Sequence, residues 1–210
     1  EIKDDEPEFW GMQSAHLRRQ FQRKVKERIE QKEILQLSVF ALAPQPLLIE
    51  LGTLLGDIMP VSVHQKHREP STWKWQLQQP SINFNVGEYS GSRDVPVALK
   101  LALSATVDDQ RIRSVLGDNT AIWSITAVEP HNDIMRRQED LTIYKTHLRR
   151  LFDRIKAHHG EDVTINVFPV LPASAAVETG RIRMPKADLP LVIYDQKPEK
   201  GFERTIQIGT

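Results

Sequence analysis

The most constraining feature of this sequence is that it matches itself. Phe40-Ala-Leu-Ala-Pro44-Gln-Pro-Leu-Leu-Ile49-Glu50-Leu-Gly52 lies over Phe168-Pro-Val-Leu-Pro172-Ala-Ser-Ala-Ala-Val177-Glu178-Thr-Gly180. Phe, Pro, Glu and Gly coincide, and Ile49 faces Val177. Upstream, Leu35, Leu37 and Val39 face Val163, Ile165 and Val167; downstream, after a short gap, Met59 to His64 faces Leu189 to Tyr194. Both copies read as strand, loop, helix and strand, so a duplicated α/β unit is expected.

Each copy runs a strand into a short loop, with a proline near the first turn of the following helix, where its missing N–H costs nothing. The remaining N–H groups and the helix dipole then point over the carboxyl end of the strand, which suits phosphate. Open α/β sheets bind their ligands at such strand ends. Two copies about a pseudo-twofold axis would turn two helix N-termini toward one pocket, matching a ring with two or more phosphates. The repeat also describes units that simply pack well, with Glu50 and Glu178 as helix-surface residues.

Periodicity places strands over 35–40, 60–64, 97–103, 121–127, 163–168 and 191–194. Helices are expected over 47–55, 109–116, 139–158 and 173–178, the long one with Leu141, Leu148, Leu151, Phe152 and Ile155 inward. The Pro-, Ser- and Gly-rich stretch 69–93 reads as a hairpin or long loop. Within it, strand alternation would send Trp73 and Trp75 to one face and Lys74 to the other. One tryptophan is expected at a ligand and the other in packing.

Residues 1–33 stand apart. Arg18, Arg19, Arg23, Lys24, Lys26, Arg28 and Lys32 surround an apolar stripe of Leu17, Phe21, Val25 and Ile29. This is either a helix that contacts nucleic acid or a connecting helix with one docked face and a solvated basic face. The 210 residues carry zero net charge and no cysteine, so no global field gathers nucleic acid and no disulfide or thiolate metal site forms. With no apolar run long enough to span a membrane, a cytoplasmic protein is expected.

No catalytic motif emerges: G-x-S-x-G, a Walker lysine and G-x-G-x-x-G after a strand are all missing. His64 and His67 lack further metal ligands, and His158-His159 is placed to complement a helix C-terminus. Ser174 opens a helix without a recognisable base, as a hydroxyl donor to phosphate or a cap. No catalytic residue, metal or cofactor is therefore expected.

Four segments taken together, Phe40 to Gly52, Arg68 to Trp75, Phe168 to Arg181 and Met184-Pro-Lys-Ala-Asp-Leu-Pro190 to Asp195, resemble the SAVED sensor domains of bacterial CBASS antiphage systems. The resemblance covers residues 35–196. It implies two fused CARF-like, Rossmann-like units with mostly parallel sheets: a first half over 34–105 and a second over 106–210, behind a linker helix over 1–33. It also implies a cyclic di- or trinucleotide ligand made by a partner nucleotidyltransferase, and homo-oligomerisation that activates a fused effector. No effector motif is present, so the resemblance makes this a detached sensor, closest to the HNH–SAVED endonuclease type, with cyclic GMP–AMP as the ligand. The rival functions are a phosphodiesterase that degrades the same messenger and a DNA-binding module using the basic helix.

On this basis the expected ligand-binding residues are Pro44, Gln45 and Pro46 at one helix start and Pro172, Ala173 and Ser174 at the other. Trp73 or Trp75 stacks a base, Arg68 and Arg181 add charge, and Lys74, Thr106, His131 and Tyr194 serve the rim and base edges.

Overall fold

The computed structural model describes residues 8–57, 59–197 and 200–209. The chain opens with a helix, α1 (Phe9–Phe21), which passes through a π-helical turn at Gln22–Lys26 into α2 (Glu27–Glu30). Phe21 is buried, Leu17, Val25 and Ile29 are half-buried, and the seven basic residues among them are exposed. This is the docked face and solvated basic face that the stripe predicts.

The first copy of the repeat is β1 (Leu37–Val39), α3 (Gln45–Leu55) and β2 (Val61–Val63). Its strands pair in parallel, Leu37 opposite Val61, as a sheet of two. The remaining strands form one six-stranded sheet. These are β3 (Phe84–Gly87), β4 (Val97–Ala102), β5 (Ala121–Ala127), β6 (Ile165–Val170), β7 (Leu191–Lys197) and β8 (Gly201–Ile208), in the order β3-β5-β4-β6-β7-β8. The four central strands are parallel and the two edge strands antiparallel. β4 is central and apolar at every position but Lys100, which pairs with Asp109; both faces are covered, as parallel sheets require. The helices among these strands are α4 (Asp109–Leu116), α5 (Gln138–His159) and α6 (Ala173–Arg181).

Most expected elements appear within a few residues, and three differ. β8 was not foreseen. Residues 69–93 form no hairpin; their one strand, β3, pairs with the distant β5. Trp73 and Trp75 lie in irregular backbone and join neither sheet. β4 also shares its sheet with β6 and β7, so the sheet does not divide at residue 105. The unit that repeats is the shorter β1–α3–β2 against β6–α6–β7.

The two copies meet through their helices. A Cβ on Gly52 would stand 1.9 Å from the Val177 carbonyl oxygen, and one on Gly180 would stand 1.8 Å from that of Ile49. Exchanging 52 with 180 and 49 with 177 maps this contact onto itself, as a twofold interface requires. Only glycine lets two helix backbones approach so closely. The repeated glutamates are not helix-surface residues: Glu50 is 1% exposed and Glu178 3%. Each pairs with a basic residue from an outer helix, Glu50 with Arg18 at 2.6 Å and Glu178 with Lys145 at 3.3 Å. A buried carboxylate persists only with such partners.

Candidate ligand cavity at the two helix N-termini

The chain goes from β4 to β5 on one side and then crosses to β6 on the other, making β4/β6 the switch point of the sheet. Ligands of open α/β sheets sit outside the carboxyl ends of strands at such a point. A cavity of about 610 Å³ lies there. Ser104 past β4 and Val170 and Leu171 at the end of β6 form its floor. Gln45 at the start of α3 and Pro172 and Ala173 at the start of α6 line it together. Gln65, Lys66, His67, Arg68 and Ser71 past β2 close one side, and Leu42 and Asn132 complete the lining.

The walls keep the repeat's symmetry: Leu42 aligns with Val170 and Gln45 with Ala173, and all four line the cavity. Two glutamines tie the halves across it. Gln45 Oε1 accepts from the Leu171 N–H at 2.9 Å. Gln65 Oε1 accepts from the Ser174 N–H at 3.0 Å and its hydroxyl at 2.8 Å. Ser174 is thus spent within the protein, 1% exposed, rather than offered to phosphate. The α3 start presents few donors, since Pro46 has none and the Leu47 and Leu48 N–H groups both reach the Pro44 carbonyl.

Arg68 is exposed on the cavity wall, and Lys66 donates to Ser71 Oγ at 2.8 Å. Between them His67 is fully buried. Its Nδ1 lies 3.5 Å from Asp133 Oδ1, within ion-pair reach, yet neither ring nitrogen has a hydrogen-bond partner. Burial lowers the imidazole pKa more than Asp133 raises it, so the ring is neutral at neutral pH and the geometry, a charge beside a dipole, describes the contact. Asp133 meanwhile accepts from Arg136 Nη2 at 3.0 Å and from the Glu69 N–H at 3.4 Å, holding the loop that carries Arg68.

Gln45, Arg68, Pro172 and Ala173 are therefore brought together. Pro44 is exposed at the α3 N-cap and Pro46 buried in the first turn. Trp75 packs on the core and against His67, ring centroids 6.0 Å apart. Trp73 meets Phe40 edge-on at 5.3 Å, and Phe40 stacks on His64 at 4.3 Å, an aromatic group outside the cavity lining. Lys74 and Thr106 are exposed, and His131 lines a neighbouring cavity.

Two expected residues lie elsewhere. Arg181 ends α6, about 13 Å along the helix from its start, where it binds Glu178 and the Gly56 carbonyl. Tyr194 is buried in the sheet, stacked on Phe168 and donating to Asn166 Oδ1 at 3.3 Å. Among the lining residues that sequence reasoning missed, Leu42 and Val170 are partners in the repeat. Ser104, Asn132 and the capping role of Gln65 had no local signal.

The family model of "SAVED: SMODS-associated and fused to various effectors sensor domain" matches residues 17–208. The chain belongs to the SAVED family. No curated protein matches it by sequence. Its fold is similar to that of the Acinetobacter baumannii Cap4 SAVED/CARF-domain containing receptor, with a TM-score of 0.55, 8% identity, and coverage of 83% of this chain and 36% of the receptor. The same receptor with the cyclic trinucleotide 2'3'3'-cAAA gives 0.58, 8%, 83% and 39%. With 3'3'3'-cAAA the values are 0.55, 10%, 84% and 39%. This SAVED chain therefore spans less than two fifths of the receptor's length. The mixed, mostly parallel sheet behind an N-terminal helix agrees with the fold class that the family resemblance implied. Among the described residues no helix is long and apolar enough to cross a membrane, and no group of three or more acidic or imidazole side chains is placed to hold a metal.

Proposed function

We propose that this SAVED domain senses a cyclic oligonucleotide, a di- or trinucleotide, in the cavity between the α3 and α6 N-termini. The observation that carries this reading is the convergence of both helix starts on one cavity at the sheet's switch point. The dipoles of the two helices there favour anions without using lysine or arginine. Arg68 and Lys66 on one wall add charge, and the cyclic trinucleotides named with the A. baumannii receptor support a ring ligand. Trp73, outside the core, stacks a base at the rim; Trp75 does not.

In this proposal the ring bridges the two halves, and assembled copies bind it better than single ones. Ligand then shifts the population toward the oligomer, which activates an attached effector, an HNH-type endonuclease, in CBASS antiphage defence. Isothermal titration calorimetry against cyclic di- and trinucleotides, followed by light scattering, tests this. The expected result is submicromolar binding of one ring, recovered intact, with Arg68→Ala weakening it about tenfold as a charge-assisted contact is lost. A well-folded domain that binds no ring refutes the proposal.

A further inference from the structure

A second cavity, about 380 Å³, lies past the end of β5 beside the first. Ile82 and Ile134 are among its apolar lining, and Asn83, Glu129, His131 and Arg136 are among its polar groups. The wall between the cavities is a chain of contacts: His67 lines the first, Arg136 lines the second, and Asp133 touches both. Asn132 and His131, adjacent in sequence, face one cavity each. The Arg136 guanidinium is fixed by two bonds to Asp133, from Nε to its carbonyl and from Nη2 to Oδ2, both 3.0 Å. Those bonds leave Nη1 for a bound group. Glu129 is exposed and supplies acceptors only.

A cavity with some apolar lining and several convergent polar groups suits a flat heterocycle read by its polar edge. Here the polar groups combine a carboxylate acceptor with a fixed cationic donor. We propose that this cavity is the base-reading subsite, taking the amine-bearing edge of one purine of the ring whose phosphates lie in the neighbouring cavity. The proposal rests on the ring-binding reading above. Glu129 accepts from the exocyclic amine, while Arg136 and Asn83 meet the acceptor atoms of the same base. Bases whose edge carries oxygen in place of the amine put two acceptors face to face, an unpaired arrangement that a polar site rejects strongly.

The test titrates the wild-type domain with 3'3'3'-cAAA and with cyclic GMP–AMP, and with the analogue of each in which every purine is replaced by hypoxanthine. Hypoxanthine lacks the amine of either base. The preferred purine ring should bind at least tenfold tighter than its analogue, the range of a hydrogen bond to a charged group. Glu129→Gln should cut that ratio by tenfold or more, whereas Arg68→Ala should weaken both rings alike and preserve the ratio. Asn83→Trp, which fills the cavity from an exposed position, should lower ring affinity without lowering the melting temperature. A ring that binds with a ratio unmoved by Glu129→Gln overturns the subsite and leaves the sensor standing. Failure of every ring to bind overturns both.

Discussion

Replacing Gly180 with alanine probes the helix pair at its tightest point. In an isolated helix the change stabilises by about 0.5–1 kcal/mol, because glycine loses more backbone freedom on folding. Here the added Cβ would stand 1.8 Å from the Ile49 carbonyl oxygen and 2.6 Å from the Thr53 nitrogen. Both are main-chain atoms of α3, so no side chain can swing aside. The contact with the Ile49 oxygen must open by about 1.6 Å to reach 3.4 Å, where ordinary van der Waals contact begins. Overpacking costs roughly 1–3 kcal/mol, and a backbone obstacle puts this case near the top. After the gain in helix propensity, the net loss is about 2 kcal/mol. At about 2–4 °C per kcal/mol for a domain of this size, the melting temperature should fall by roughly 4–8 °C. Calorimetry and urea titration measure it. Gly11→Ala is the control, since nothing lies within 4 Å of a Cβ there and α1 should simply gain stability. Combining Gly52→Ala with Gly180→Ala should cost less than the two singly, because the first separation makes room for the second. A Gly180→Ala domain as stable as wild type, or more so, would refute the close approach and with it the pseudo-twofold axis that brings two helix starts to one cavity.

Two further outcomes concern ionisable groups. Arg149 grips Asp188 through two nitrogens, both at 2.6 Å, and although burial raises the Asp188 pKa, this pairing outweighs it and the net shift is downward. A carboxyl with a depressed folded pKa stabilises above its unfolded value, about 3.9, and loses that contribution as pH falls through the folded value. Asp188→Asn should therefore cost about 1–2 kcal/mol at pH 7, since Arg149 loses this two-nitrogen pair but keeps Asp153 at 2.8 Å. The gap from wild type should close below about pH 4; a constant gap on urea titration refutes the pairing. In His67, His147 and His159, burial lowers the pKa first and foremost. The unfolded chain then takes up protons before the fold does, so stability holds above about pH 6.5 and declines below it. His147→Gln should flatten the urea midpoint between pH 7.5 and 6, and a wild-type midpoint that rises over that interval contradicts the assignment.

Much of this molecule is legible in one dimension because its signals are local. The period of β5, the caps of α4 and the charge polarity of α5 each sit within a few residues, and those elements fall where periodicity puts them. The repeat is also a property of the string, and it alone implies two helix N-termini in equivalent places. Gln45, Pro172 and Ala173 follow from it. Tertiary structure decided whatever depends on which strand takes which edge. β3 pairs with β5 across some forty residues, while Trp73 and Trp75 join no strand and Trp75 packs on the core. Arg181 and Tyr194 carry the right chemistry for a ligand, yet one lies at the far end of α6 and the other under the sheet's own aromatic rings. Glu50 and Glu178 read as surface residues because the string does not show the helices that cover them. Residue type fixes what a side chain can do. Burial and distance, which depend on contacts between residues far apart in sequence, determine whether a ligand can reach it.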